Sequence, residues 1–289
     1  MTHQVSEHFK TEFDDGVRHV FQDRGSKLLP LIRNKRVNPG EAAKFFVAGS
    51  GTAGPKNRHD DVPVMNADRS NVTVSLGTYY AGEWIDEEDL DAMAPDDRDT
   101  AQASAAMALG RKVDDIIIAA LAGTTETAIG DYSNPMSVAL AQQARERALT
   151  LEWPDQEGDW LFLGSPNSIL HMETYKQYAN AEWVGGDDLP FKTKQKMRWW
   201  NGMYWMSHNR LPLASTDNQI NYLIHLPTVL GAVGRDITTT ISWENTKAAF
   251  FVNGRVRIGS GLHVTNGVIP IHTDNDTPFG NATNLVADA

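Results

Sequence analysis

The longest helix-spaced run of apolar residues lies between about Thr100 and Ala122. There Ala101, Ala105, Met107, Leu109, Val113, Ile116, Ile117, Ala120 and Leu121 outnumber what one narrow face requires. The pattern predicts a helix laid along the body as a backbone element. At the α-helical rise it would span about 35 Å. Asp99 or Thr100 is placed to cap its start, Asp96 and Asp97 suit the positive end of the helix dipole, and Gly123 sits where a closing glycine belongs.

Upstream, Phe9, Phe13, Val17, Val20 and Phe21 have short amphipathic spacing, and Leu28, Leu29, Leu31 and Ile32 surround Pro30. Residues 1–40 hold too little apolar surface for a core of their own and read as an arm that packs on something else. Lys44-Phe45-Phe46-Val47 and the alternating Val72-Thr73-Val74-Ser75-Leu76 read as two strands around a glycine-rich tip, Gly49–Asn57. A hairpin this long projects from the body.

Downstream the pattern turns mixed. A helix over Ser137–Leu149 follows the Asn134-Pro135 start signal, Trp160–Leu163 is a short apolar strand, and Ser165-Pro166-Asn167 opens a helix to about Tyr178. Met203–Met206 and Ile220–Leu226 are further strands. The last third is β-rich, with strands at Ile237–Trp243, Ala248–Val252, Arg255–Ile258, Leu262–Thr265 and Val268–Ile271. Asn253-Gly254 and Asn266-Gly267 carry the tight-turn signal of hairpins. The fold class is α+β.

Composition narrows the function. The chain has 289 residues, no cysteine and a net charge of −11. Without cysteine, neither a disulfide nor a thiolate metal site staples the fold. Glu7, Glu12, Asp14 and Asp15 break up the N-terminus where an export signal would be apolar, and no membrane-length apolar run exists, so a soluble product is expected. The charge lies in blocks. Arg18, Arg24, Lys27, Arg33, Lys35 and Arg36 stand against Asp23 alone; Asp86, Glu87, Glu88 and Asp89 lead an acidic run from Glu83 to Asp99 relieved only by Arg98. Blocks of opposite sign predict complementary surfaces, within one subunit or between neighbours.

Candidate chemistry is sparse. Gly49 to Asn57 lacks the Gly-Lys-Ser/Thr that a phosphate loop needs, because Pro55 separates Gly54 from Lys56 and Asn57 replaces the hydroxyl residue. None of the nine histidines falls in a metal-binding spacing, and Asp274-Asn275-Asp276 lacks the glycine and glutamate of a calcium loop. Ser165 precedes a proline at a helix start, which capping explains without a nucleophile elbow. Trp199, Trp200, Tyr204 and Trp205 lie beside Lys192, Lys194, Lys196 and Arg198; core and intersubunit contact is preferred to single-stranded nucleic acid. No catalytic residue, cofactor or metal is expected.

The order of elements resembles the Hong Kong 97-type shell fold of tailed-phage capsid proteins, shared with encapsulins. The most specific match is Ala105 to Gly123, with its Gly110-Arg111, Asp114 and Ala120-Leu121-Ala122-Gly123 progression. Asp159–Ser165, Trp200-Asn201-Gly202, Asn209–Pro212, Arg235-Asp236-Ile237, Ile258-Gly259 and Gly267–Ile271 add to it. The resemblance implies an N-terminal arm at 1–40, an extended hairpin loop at 41–81, a peripheral domain beginning at 82–135 with its spine helix near 100–122, an axial domain at 136–234, and return strands with a tail at 235–289.

It further implies a major capsid protein forming pentamers and hexamers of an icosahedral head, assembled in the host cytoplasm and found in the virion. Such a shell encloses double-stranded DNA without sequence-specific binding, and an acidic or neutral wall would let the genome slide. A separate scaffolding protein, a portal protein and a decoration protein are the implied partners. In that setting the basic block would meet the acidic run of an adjacent subunit. The rival readings are an encapsulin-like compartment and a soluble α/β hydrolase using Ser165.

Overall fold

The computed structural model describes residues 25–38, 42–65, 67–88, 97–154, 158–179 and 197–279. They form a mixed α+β subunit with two main sheets and a projecting hairpin. The first sheet has the order β1-β9-β10-β4, from β1 (Arg33–Arg36), β9 (Val229–Glu244), β10 (Ala249–Leu262) and β4 (Gly77–Asp86). Strand β1 runs parallel to β9 and the other pairs are antiparallel. The second sheet has the order β11-β8-β5-β7-β6, from β5 (Trp160–Gly164), β6 (Arg198–Trp200), β7 (Met203–Ser207), β8 (Asn218–His225) and β11 (Val268–Asp274).

Helix α1 (Asp97–Leu121) joins the two sheets. Its buried residues Ala101, Ala105, Leu109, Val113, Ile117 and Leu121 repeat at every fourth position. At about 100° per residue each step of four turns the stripe by about 40°, so five steps carry it about 200° round the helix. The start of the stripe therefore faces Ile85 and Val252 of the first sheet. Its end shares a core with Leu161, Leu163, Tyr222 and Ile224 of the second. One helix can serve two sheets because its apolar pattern winds rather than runs straight.

The second sheet is covered on both faces, which is why β5 reads as an uninterrupted apolar run. Leu161 and Leu163 point toward α1, while Trp160 and Phe162 point toward Leu140, Ala144 and Ala148 of α2 (Val138–Thr150). The expected helix after Ser165 divides into α3 (Pro166–Glu173) and α4 (Lys176–Ala179), because Thr174 ends the first by bonding the His171 carbonyl.

Several sequence expectations are corrected. Asn253-Gly254 is not a turn; β10 passes straight through it, and the hairpin closes instead at residues 245–248, where Ala248 has φ 46°. Gly254 serves close packing, since a Cβ there would lie 3.0 Å from Leu109 Cδ1 and 3.2 Å from Ala105 Cβ. Asn266-Gly267 lies in a short 3-10 turn rather than a tight hairpin, and the following strand β11 leaves for the second sheet. Residues 235–289 thus do not all return to the first sheet, and a boundary at 234 would cut β9. Helix α1 begins at Asp97, so Asp99 and Thr100 lie in its first turn rather than capping it. Strands β1 and β4 had no counterpart in the sequence reading.

Candidate assembly surfaces

The hairpin of β2 (Ala43–Ala48) and β3 (Arg69–Val74) is rooted by Ala43, Phe45 and Val74, which are buried against Leu230 and Ala232 of β9. Alternation puts Lys44 and Phe46 on the other side, in solvent. Beyond the last strand pair the two arms stay together through Gly49 N–H donating to the Asp68 carbonyl at 2.6 Å. This projection keeps apolar side chains in water: Phe46 is 79% exposed, Val64 79% and Val62 71%. Phe46, Val62, Val64 and Met65 are thus largely exposed among the described residues.

The arm is fixed to α1 by two residues one helical turn apart. Gly110 lets the backbone of Gly25 approach: a Cβ at 110 would lie 2.6 Å from the Gly25 carbonyl carbon. Asp114, 3% exposed, then receives four donors. Ser26 Oγ and the Leu28 amide bond Oδ1 at 2.5 and 3.1 Å; the Lys27 amide and His208 Nε2 bond Oδ2 at 3.0 and 3.3 Å. The Arg210 amide donates to His208 Nδ1 at 3.2 Å, which leaves the ring proton on Nε2, facing Asp114. Burial alone would raise the Asp114 carboxyl, but the bonds from His208, Ser26 and the two arm amides outweigh it and hold it below its ordinary 3.8. Next door, Arg210 grips Asp115 with two bonds, at 2.5 and 2.6 Å. Beyond this anchor Leu28 and Ile32 enter the main core.

Of the charged residues singled out in the sequence, Arg18, Arg24 and Asp89 lie outside the described residues. Lys27 contributes its backbone amide to Asp114. Arg33, Lys35 and Arg36 form the exposed strand β1. Arg36 pairs with Asp236 at 2.7 Å, and Lys35 donates to the Lys44 carbonyl at 3.1 Å. Asp86, Glu87 and Glu88 are exposed at the far end of β4. The structure keeps the blocks apart. Arg36 is level with Val233, whereas Asp86 and Glu244 are both level with Ala249, at the other end of β9, with Asp86 on the opposite edge strand β4. Eleven residues of strand amount to about 36 Å.

The chemical candidates resolve into structural roles. Ser165 Oγ caps α3 by accepting the Ser168 amide and donates to Ser168 Oγ, inside a buried network with Asn221 and Thr273. His171, on the same helix, bonds the Thr277 carbonyl instead of Ser165. Among the described residues no three metal-ligating side chains gather. The aromatic cluster is only partly core: Trp205 is buried with Tyr178, Trp200 and Tyr204 are half-buried, Trp199 is exposed, and Arg198 lies over the Tyr178 ring at 4.1 Å. Burial pushes the Tyr178 phenol up to about 12, with Arg198 opposing and Glu173 adding to it. Lys192, Lys194 and Lys196 lie outside the described residues.

Sequence similarity decides the family, since residues 5–275 match the family model of the phage capsid proteins. The chain belongs to this family. Solved structures share the capsid protein's fold at low identity. The capsid of the cyanophage P-SCSP1u aligns with TM-score 0.68 and 15% identity, covering 92% of this chain and 93% of that one. The mature capsid of bacteriophage PhiM1 gives 0.68 and 14%, covering 93% of each chain. The capsid of a native GTA particle gives 0.69 and 13%, covering 91% and 94%. No curated protein matches the chain. The fold is the Hong Kong 97-type capsid fold, and the capsid protein associates with copies of itself as a component of the virion. No helix among the described residues is long and apolar enough to cross a membrane.

Two features of these surfaces escaped the sequence reading. Lys44 and Arg235 join the basic end of the sheet, Lys44 because the hairpin root packs on β9 and Arg235 because β1 pairs with β9, and Glu244 joins the acidic end through β10, which pairs with both β9 and β4. Gly110 stood inside the family-like segment, yet nothing in the sequence identified the arm backbone as what it accommodates.

Proposed function

We propose that this protein is the major subunit of an icosahedral head, arranged as pentamers and hexamers around double-stranded DNA. The observation that carries the reading is the β2–β3 hairpin, which holds Phe46, Val62, Val64 and Met65 in water. A patch of this kind marks a protein–protein surface, and here the occupant is a neighbouring copy. In this reading the hairpin lies across one neighbour and the N-terminal arm reaches another. A head of this type needs a separate scaffolding protein, a portal and, in some cases, a decoration protein. Its role is structural, not catalytic.

Negative-stain microscopy of the purified protein, with and without a co-expressed scaffold, tests the proposal. Closed shells of uniform diameter are the expected product. A species that stays monomeric under all conditions, with the hairpin protected from proteolysis on its own body, would overturn it. An encapsulin-like compartment would form shells too, but would retain cargo enzymes in place of a genome.

A further inference from the structure

An open cleft of about 820 Å³ lies where β1, the root of the β2–β3 hairpin and β9 meet. Lys35, Arg36, Lys44 and Arg235 line it, with Asp236 as the one acid among its described lining residues. Asp236 is engaged by Arg36, and the Lys35 ammonium is held by the Lys44 carbonyl. Lys44 and Arg235 are exposed and have no ion pair among the described residues. Among the described residues the cleft therefore offers at least two uncompensated cations beside paired strands.

The opposite end of the same sheet carries the complementary charge. Glu83, Asp86, Glu87, Glu88 and Glu244 are all exposed there. The described cation beside them, Lys247, is occupied over the Trp84 ring at 3.7 Å. The two ends cannot meet within one chain, because about 36 Å of β9 separates them. Between copies no such obstacle exists.

We infer that the acidic end of one copy's four-stranded sheet seats against the Lys35–Arg36–Lys44–Arg235 cleft of the next copy. This deepens the capsid reading and rests on it. The contact is head-to-tail, so it repeats from copy to copy and closes into a ring when the rotation between copies allows. A pentamer or hexamer is such a ring. Charge complementarity of this kind sets partner orientation and encounter rate more than raw affinity. It suits a subunit that must assemble in one register only.

A charge-swap series tests the inference. Lys44→Glu with Arg235→Glu reverses the cleft, and Glu87→Lys with Glu88→Lys reverses the acidic end; all four positions are exposed, so circular dichroism should show folded protein. Shell yield is read by sedimentation and negative stain beside the wild type. Either reversal alone should cut the assembled fraction about tenfold or more, since like charges then face each other. All four substitutions in one chain should restore it, because every cleft then meets an end of opposite sign. Wild-type yield from either single reversal overturns the inference, even if the cleft reversal also loses DNA from the shells, which would make nucleic acid the occupant. So does a fourfold variant that assembles no better than its parents. Failure of the wild type to form any shell would strike the capsid reading itself.

Discussion

Replacing Asp114 by asparagine should free the arm from the spine helix. The carboxylate receives two donors on each oxygen: Ser26 Oγ and the Leu28 amide on Oδ1, the Lys27 amide and His208 Nε2 on Oδ2. An asparagine amide group placed on either side points its own hydrogens at a fixed backbone N–H. One oxygen of the side chain keeps its bonds and the other position becomes repulsive. Removing one member of a buried charged network costs about 3–5 kcal/mol. At about 1.4 kcal/mol per factor of ten, local opening should become about two to three and a half powers of ten more frequent. Hydrogen exchange reads this directly at the Lys27 and Leu28 amides, which donate to this carboxylate. Exchange at the two amides within about threefold of the wild type, a shift of about 0.7 kcal/mol, would refute the anchoring role. The same bond set fixes the acid limit. Burial raises the Asp114 proton affinity, but the four donors outweigh it, so the folded value lies below the ordinary 3.8. The anchor's contribution is therefore fully present above 3.8 and is lost as pH falls from there through the folded value.

Further predictions concern the same packing. Gly110→Ala should release the arm without touching its charges, because the new Cβ would lie 2.6 Å from backbone rather than from a side chain that can turn away; alanine favours the helix itself by about 1 kcal/mol, so α1 amides should stay protected while Lys27 and Leu28 lose protection. His171, His225 and His272 are each held below the usual histidine value by burial, opposed at His171 by Thr277 and Asp274 and at His225 by Asp159. The unfolded chain binds those protons more readily, so stability is full above 6.5 and declines as pH falls through the folded values; urea midpoints at pH 7.5 and 5.5 check the sign, and His225→Gln should reduce the slope.

What the sequence discloses tracks where burial is strong. Helix α1 and strand β5 stand out because both are buried along their length, one with a winding stripe and the other on two faces. Strand β1 is invisible for the opposite reason. Its four residues, Arg33-Asn34-Lys35-Arg36, are polar and exposed, and they become a strand only by pairing with Leu230–Val233, about two hundred residues downstream. The outer half of β9 was legible as the strand Ile237–Trp243, whereas its continuation back to Val229 was not. Asn253-Gly254 misled because glycine supports both a turn and a close approach, and local sequence does not distinguish them. The charge blocks were legible as composition. Their separation to opposite ends of one sheet was not, because it follows from strand register.

The anchor at Asp114 explains how a strand as polar as β1 keeps its place. Four exposed residues supply almost no burial energy, and an edge strand with two polar faces is prone to slip in register. A slip by one residue would turn Ile32 away from the core it shares with Leu28, Val229 and Val233. Apolar packing of Leu28 alone would hold the arm near the helix without fixing its phase. Two carboxylate oxygens that take the amides of Lys27 and Leu28 fix that phase five residues before β1 begins. Because Asp115 grips Arg210 on the same helical turn, arm, spine helix and the segment after β7 share one reference point. The cations of β1 are therefore presented by a strand whose register is set from the core, which a contact between copies requires and a loose basic tail would not supply.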